Sequence, residues 1–495
     1  MQRRTFLVGS AAATGSALAL GAIGFERRYG EPEVRRYGST VVRRKPPSAD
    51  APNVLFIALD DCNDWLGFLN NHPGTHTPNL DALADESLVF SNAYCTAPMC
   101  LPARTSVMFG RTPYETGVYD HAEASDVRYA ALARSSPSLV DDFWAAGYDV
   151  VGGGKLFGDT QRSRWTQFRQ TRPDEQDPNW LSPFDGQPIG PRSRGPIDFG
   201  PSGHTTDEEP DGSTGAWVRQ QLVAPRSRPL FLGYGLISTH VAWRVPQRFF
   251  DLHPIDEVVA PALRPDDLND LGPAGTSLIE PRTVETLQET GVLAEAVQAY
   301  QAAISYADDR VGMVLDALSS TPRGDDTIVV VWSDHGFHLG EKMHWHKFTL
   351  WERATRVPML FRVPGQFRAG GTFDRPVSAL DIGPSLAEWS GVAVNGGHSG
   401  RSLVPAVDRP ELADERPPVT TWLPGNHTVR RGSWRFIRYR TGETELYDHR
   451  DDPDEYINLA GRAEHAAIER ELARFLPDLS EEVDADRPLG SAGAD

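Results

Sequence analysis

The sequence predicts an α/β protein: a large, mainly parallel sheet sandwiched between helices, followed by a small C-terminal α+β domain. Three observations predict it. Between Asn53 and Gly391, apolar runs of strand length alternate with segments of helical periodicity, the order that sets parallel strands side by side through crossover helices. The foremost run, NVLFIAL at 53–59, has no polar alternation and so reads as a central strand buried on both faces. After about residue 395 the texture shifts to short strand-like pieces and one helix.

The first residues stand outside this fold. Arg3-Arg4-Thr5-Phe6-Leu7 precede an apolar, small-residue run from Val8 to Ile23, the order of a twin-arginine export signal spanning residues 1–24. That run of roughly 16 residues falls short of the ~20 that a spanning helix needs. Export to a periplasmic or extracellular location is therefore expected, by way of the twin-arginine translocase, with an uncleaved membrane tether as the lesser alternative. Residues 25–52 carry three Arg pairs, two copies of Arg-Tyr-Gly and Pro46-Pro47, and read as a basic, solvated linker.

The catalytic domain is expected over residues 53–395. Its first strand stops abruptly at Asp60-Asp61, a helix opens at Thr77-Pro78 and runs through Ser87, and Leu88–Tyr94 forms a short strand. A helix over 137–146 leads to a strand from Tyr148 to Val151 that ends in Gly152-Gly153-Gly154-Lys155. Residues 158–212 are rich in Pro, Gly, Arg and Asp and read as surface loops that shape a pocket. Helix 213–223, strand 230–237 with His240 after it, loops over 251–290, and a long helix from Leu293 to Leu318 follow. Strand 327–332 then ends in Ser333-Asp334-His335-Gly336, ahead of strand 357–363 and helix 381–391. The small domain occupies 396–480, with strands at 419–423, 434–439 and 445–447, a helix over 464–475 and a polar tail at 481–495.

At 495 residues and 39% hydrophobic content the chain can bury a large core. Its formal charge of −19 argues against nucleic acid or an anionic membrane as a partner. A small anionic substrate stays open, because screening over about 8 Å lets a few local cations outweigh distant carboxylates. Cys62, Cys95 and Cys100 are too few for a disulfide scaffold and cluster as a site would, although a Cys62–Cys95 bridge is open.

The chemistry centres on Cys100-Leu101-Pro102-Ala103-Arg104. Proline suits a first helical turn, where its missing N–H costs nothing. Free backbone N–H groups there, the helix dipole and Arg104 one turn on make an anion pocket beside a nucleophile. Taken alone the stretch also fits a small structural cysteine. Four strand ends add complementary groups: Asp60-Asp61, Lys155, His240 and Asp334-His335. Three carboxylates are the hard oxygen ligands that Ca²⁺ or Mg²⁺ prefers. The four histidines between His335 and His346 raise zinc as an alternative, but a three-His site would leave the aspartates idle.

These motifs together resemble the type I sulfatases of the alkaline phosphatase superfamily. CLPAR matches the family's C-x-P-x-R. The DD at 60–61, GK at 154–155, His240, SDHG, GEKMHWHK and the late ELYDHRDDPDEYINL at 445–459 all fall in family order. The Asp334-His335 pair and the HWHK run are most similar to the iduronate-2-sulfatase-like branch. The resemblance implies that Cys100 is converted to formylglycine by a formylglycine-generating machinery before folding. It also implies that Asp60, Asp61, Asp334 and His335 hold a divalent cation together with the modified residue 100, Ca²⁺ being favoured over Mg²⁺. Arg104, Lys155, His240 and Lys347 would surround the sulfate of a sulfated saccharide or other sulfate ester. One hydroxyl of the aldehyde hydrate would attack sulfur while His240 or Lys347 protonates the leaving alcohol, and the second hydroxyl would expel sulfate. One position departs from the pattern: the His expected three residues beyond the Gly-Lys lysine is Gly158, so its role is either weakened or taken by another residue, His121 and His346 being the candidates. The rival functions are a phosphodiester or phosphonate monoester hydrolase on the same scaffold and a non-catalytic glycan-binding relative.

Overall fold

The computed structural model describes residues 34–157, 159–171, 189, 197–366, 370–394, 397–480 and 482. The export signal, the first part of the basic linker, Gly158 and nearly all of the polar tail lie outside the described residues.

An eight-stranded sheet forms the centre, in the spatial order Gly371–Phe373, Leu88–Phe90, Met359–Arg362, Thr327–Ser333, Asn53–Leu59, Leu230–Gly235, Asp149–Gly154 and Gln167–Arg169. Only Met359–Arg362 runs against its neighbours. The expected mainly parallel sheet between helices is therefore what the chain builds. Asn53–Leu59 is fully buried, and its alternate side chains explain why. Leu55, Ile57 and Leu59 enter one core with the long helix Leu293–Ser319, while Val54, Phe56 and Ala58 enter the other with helices Cys100–Phe109, Leu139–Ala145 and Ile382–Trp389. Burying each such aliphatic or aromatic side chain contributes about 1.5–3 kcal/mol.

Strand register decides where the functional groups emerge. Leu59 pairs with Ser333, Ala58 with Gly235, and Gly235 with Gly154, so four parallel strands end together on one edge. Asp60-Asp61, Asp334-His335, Lys155 and the turn to His240 all leave the sheet there, where ligands bind in open α/β sheets. Gly154 is required at this edge: it has φ +84°, and a Cβ on it would lie 1.8 Å from the Gly235 carbonyl oxygen.

The small domain is a four-stranded antiparallel sheet, Val419–Thr421, His427–Arg431, Trp434–Arg438 and Thr444–Asp448, with helix Ala466–Ala473. Buried Arg435 ties it to the main body. Its guanidinium pairs with Glu352 and Glu455 and donates to the Leu350 carbonyl at 3.0 Å.

Several elements differ from expectation. Part of the basic linker is an ordered hairpin, Val34–Tyr37 with Thr40–Arg43, because Tyr37 and Val42 bury and Arg35 donates to Asp141 at 2.8 Å. Helix Glu123–Ser135 and strand His427–Arg431 were not expected, and helix Pro281–Glu289 lies within a stretch read as loop. The strand expected over 88–94 divides between two sheets, at Leu88–Phe90 and Ala93–Tyr94. The strand expected over 357–363 likewise divides at Pro358, which lacks the N–H needed to continue a ladder. Cys62 and Cys95 are free, buried thiols rather than a bridge.

Candidate active site

Cys100 opens helix Cys100–Phe109, entered through the extended backbone of Met99 with Pro102 in its first turn, as the sequence predicts. Its side chain is 4% exposed. The Lys347 ammonium donates to Sγ at 3.4 Å, His335 Nε2 lies 3.4 Å away and Asp61 Oδ1 3.7 Å. Gathered cations dominate its electrostatics. Burial opposes ionisation, but Lys155, Lys347 and His335 outweigh it and draw the thiol well below its ordinary range.

Asp60, Asp61, Asp334 and His335 are wholly buried. Asp61 adopts a left-handed backbone, φ 59°, which aspartate tolerates better than most residues. That turn lets its amide donate to Asp334 Oδ1 at 3.0 Å, so the two acidic strand ends lock together. Arg104, one turn beyond Cys100, spans the pair: Nε donates to Asp334 Oδ2 at 2.8 Å, and Nη2 donates to Asp60 Oδ1 at 3.1 Å and to the Leu59 carbonyl at 3.0 Å. Lys155 donates to Asp60 Oδ2 at 2.5 Å and Lys347 to both oxygens of Asp61 at 2.7 and 2.8 Å. Burial raises the Asp60 carboxyl, yet Lys155 and then Arg104 reverse this and hold it low. Asp334, where burial prevails over Arg104, is pushed up to about 6.

Lys347 reaches the site from a contorted loop in which Lys342, Met343, His346 and Phe348 all have positive φ. Such residues cost of order 1–3 kcal/mol each and persist only where the surroundings impose them. Here Lys342 donates to Asp267 at 2.7 Å and to the Glu455 carbonyl, while His344 Nε2 lies 2.8 Å from the Lys347 carbonyl. The neighbouring histidines are likewise occupied structurally, His338 Nε2 lying 2.8 Å from Thr349 Oγ1. Among the described residues no three-histidine cluster forms, so the zinc alternative finds no ligand set. His346 packs its ring 5.6 Å from that of Phe337, and His121 stands at an exposed position.

A hard divalent cation does suit the groups present. Donor atoms of Asp61, Cys100, Asp334 and His335 lie within 4.8 Å of one another, with the Cys100 sulfur standing where an oxygen of a converted side chain would be. Buried carboxylates with a single imidazole form an oxygen-rich donor set of the type that Ca²⁺ accepts.

Sequence reading missed the residues that brace this shell. Tyr300, on the long helix, donates to the Asp61 carbonyl at 2.8 Å and accepts from the Asn63 amide at 2.9 Å. Thr239 donates to the Asp60 carbonyl at 2.6 Å. Asp211 accepts from the Ile237 and Ser238 amides, fixing the turn that carries His240. Asp211 alone had a local signal, a carboxylate in the first turn of a helix that opens with Pro210; for the others, only packing across long sequence separation reveals the role.

A family model described as Sulfatase matches residues 52–392. The chain belongs to the sulfatase family. A second model, the C-terminal region of N-sulphoglucosamine sulphohydrolase, matches residues 340–482. The sulfatase is similar to one from Formosa agariphila, 34% identical over 88% of each chain, and to a choline-sulfatase of Rhizobium meliloti, 29% identical over 83% and 82%. It also resembles human iduronate 2-sulfatase, at 28% identity over 64% of this chain and 61% of the other. Among solved structures, a 2-O GAG sulfatase superposes with a TM-score of 0.65 at 21% identity, covering 86% and 90% of the two chains. A phosphonate monoester hydrolase from Silicibacter pomeroyi does so at 0.69 and 19%, covering 86% and 94%. These structural likenesses establish the shared fold. The protein is a sulfuric ester hydrolase.

Proposed function

We propose that this enzyme hydrolyses sulfate monoesters on saccharides, using a formylglycine made from Cys100 and a divalent cation, Ca²⁺ ahead of Mg²⁺. The observation that carries the reading is the setting of Cys100: a helix-opening side chain within 3.4 Å of both Lys347 and His335, beside carboxylates clamped by Arg104. When bound, the hydrated aldehyde and cation supply an acidified hydroxyl as nucleophile together with Lewis-acid stabilisation of the growing charge. The chain's own residues do the rest. Arg104 fixes the carboxylates so that little reorganisation is needed during reaction. Lys155 and Lys347 both set positive charge close to residue 100, where a sulfate group would present its oxygens. His240, with its side chain 36% exposed and Nε2 3.9 Å from Asp61 Oδ2, faces outward from the buried shell. It is therefore positioned to hand a proton to the departing alcohol.

Saccharide substrates are supported by the relatives. An ulvan-active sulfatase of Formosa agariphila is 25% identical to this chain, and one structural neighbour is described in complex with its substrate D-glucosamine-2-N,6-O-disulfate. Arg3-Arg4 and the apolar run behind them support export by the twin-arginine route, with Cys100 converted beforehand in the cytoplasm.

The test compares kcat/KM for 4-nitrophenyl sulfate and 4-nitrophenyl phenylphosphonate, on protein whose conversion at position 100 has been verified by intact mass. The sulfate ester is expected to lead by at least about a hundredfold. A lead for the phosphonate would transfer the protein to the monoester hydrolase class. Unmodified Cys100 in protein from its native host, with no sulfate released, would favour a glycan-binding relative.

A further inference from the structure

The hairpin of Val34–Tyr37 and Thr40–Arg43 has two unlike faces. Arg36 and Arg43 are exposed, whereas Tyr37 and Val42 are buried and Arg35 reaches inward. The inward face converges on Asp141, a wholly buried carboxylate. Arg35 Nη1 donates to Asp141 Oδ1 at 2.8 Å, the Tyr37 hydroxyl donates to the same oxygen, and Arg164 Nη1 donates to Oδ2. Two further contacts join the hairpin to Arg164 directly. Arg35 Nη1 donates to the Arg164 carbonyl at 2.8 Å, and the Arg164 guanidinium lies over the Tyr37 ring, 4.5 Å from its centroid. Burial leaves Arg164 only 3% exposed, so its attraction to Asp141 is little screened by water.

Arg164 lies in a stretch with little regular structure of its own. Asp159–Arg164 is a kinked helical turn with Gln161 outside helical backbone geometry, and Gln167–Arg169 is an edge strand of the central sheet. The stretch nevertheless supplies Gln161, Arg162, Trp165 and Phe168 to the wall of a cavity of about 620 Å³, a size usual for a small-molecule site. The same cavity is lined by Leu101, next in sequence to Cys100, and by Lys155, which grips Asp60. Arg164 is the pin between hairpin and wall. Its Nε donates to Gln161 Oε1 at 2.7 Å, and its immediate neighbour Trp165 packs with ring centroids 6.0 Å from Phe157 and 5.7 Å from Phe168. Without the hairpin the Arg164 carbonyl loses a donor, its guanidinium loses the ring over which it lies, and Asp141 keeps one cation in place of two.

Resting on the sulfate ester reading above, we infer that the hairpin is a strap holding one wall of the substrate cavity, with Arg35 and Tyr37 as positioning residues that act through Arg164. The segment that follows the export signal is on this account part of the working enzyme. Processing after export has to leave the chain from Val34 onward in place.

The test uses the converted, metal-loaded full chain. Arg35→Ala and Tyr37→Phe should each raise KM for 4-nitrophenyl sulfate about fivefold with kcat within about twofold, the pattern of lost binding without lost chemistry. Inorganic sulfate, which needs only the charged shell clamped by Arg104, should inhibit both variants with an unchanged constant. Arg36→Ala and Arg43→Ala, on the exposed face of the same hairpin, should match the parent. Limited trypsin digestion provides a readout independent of turnover. Cutting after Arg164, buried in the parent, should rise at least about tenfold in Arg35→Ala and in Tyr37→Phe, while cutting after the exposed Arg248 holds steady. Tyr37→Phe removes a single hydroxyl and keeps the test decisive should Arg35→Ala fold poorly. Unchanged KM and unchanged cutting after Arg164 overturn the strap. So does an equal rise in KM and in the sulfate inhibition constant, which would place the effect in the whole fold, or a fully active exported protein whose N-terminus lies beyond Tyr37. Should no sulfate ester be hydrolysed, the sulfatase reading falls, and faster cutting after Arg164 in the two variants still sustains the strap.

Discussion

Replacing Asp211 examines how the fold holds His240. The Asp211 carboxylate accepts from Ile237 N at 3.0 and 2.9 Å and from Ser238 N at 2.8 Å, and the same turn closes with His240 N donating to the Ile237 carbonyl at 2.9 Å. Asp211→Ala strands two backbone donors at roughly 1–3 kcal/mol each, so a loss of about 2–6 kcal/mol in stability is expected. A shift of about 1 Å at His240 would lower kcat by up to ~10²-fold. Asp211→Asn should differ, because both amides reach Oδ2, at 2.9 and 2.8 Å, and one carbonyl oxygen there serves both. Its kcat should stay within about threefold of the parent.

The two variants also separate in their pH dependence. Burial pushes the Asp211 carboxyl up to about 7, against the pull of the Ile237 and Ser238 amides. A folded-state pKa raised above the unfolded value means the fold holds a proton that the unfolded chain has released. That contribution is fully present below about pH 4 and is lost as pH rises through 7. At about 1.4 kcal/mol per pH unit, the parent should lose on the order of 3 kcal/mol between pH 5 and 7 relative to Asp211→Asn. Urea unfolding of both proteins from pH 5 to 8 measures this difference directly. A difference that stays flat, or an Asp211→Ala protein with unaltered stability and kcat, refutes the reasoning.

Three further outcomes are expected. Lys347→Ala removes the ammonium 2.7 Å from Asp61 and 3.4 Å from Cys100 Sγ, and should lower kcat on 4-nitrophenyl sulfate at least ~10²-fold, a loss typical of removing one electrostatic contact to developing charge. Dialysis against a chelator should lower the melting temperature as well as activity, because Asp60, Asp61 and Asp334 are wholly buried and lose a shared counter-charge; Ca²⁺ should restore both, and an unmoved melting temperature would argue against the cation. Arg435→Met should destabilise the protein by about 3–5 kcal/mol in urea unfolding, since Glu352 and Glu455 would lose a buried partner, whereas an exposed pair such as Arg248–Asp309 should cost under about 1 kcal/mol.

The sequence by itself determined the sheet and the chemistry set. NVLFIAL cannot sit comfortably with either face in water, so a doubly covered central strand follows from its composition, and the carboxylates that end it fall at the ligand-binding edge of such a sheet. CLPAR carries its own structural instruction, because proline in the first turn starts a helix and leaves Cys100 at its head. Those signals are local and survive without knowledge of what packs where. Local signals also misled: a basic, Pro-ended stretch reads as a tether, yet Tyr37 and Val42 bury it as a hairpin once Asp141 and Trp144 are there to receive Arg35.

Only the tertiary structure decided what holds the site in place. Tyr300 is spaced like any core residue of a helix and gains its meaning from the Asp61 carbonyl, 239 positions away. Thr239 reads as one more polar residue after a strand until its hydroxyl is seen to donate to the Asp60 carbonyl, 179 positions away. The physical reason is common to both. Hydrophobic periodicity and turn chemistry act between near neighbours and can be read along the chain, whereas a hydrogen bond depends on a few tenths of an ångström between groups that only the closed fold brings together.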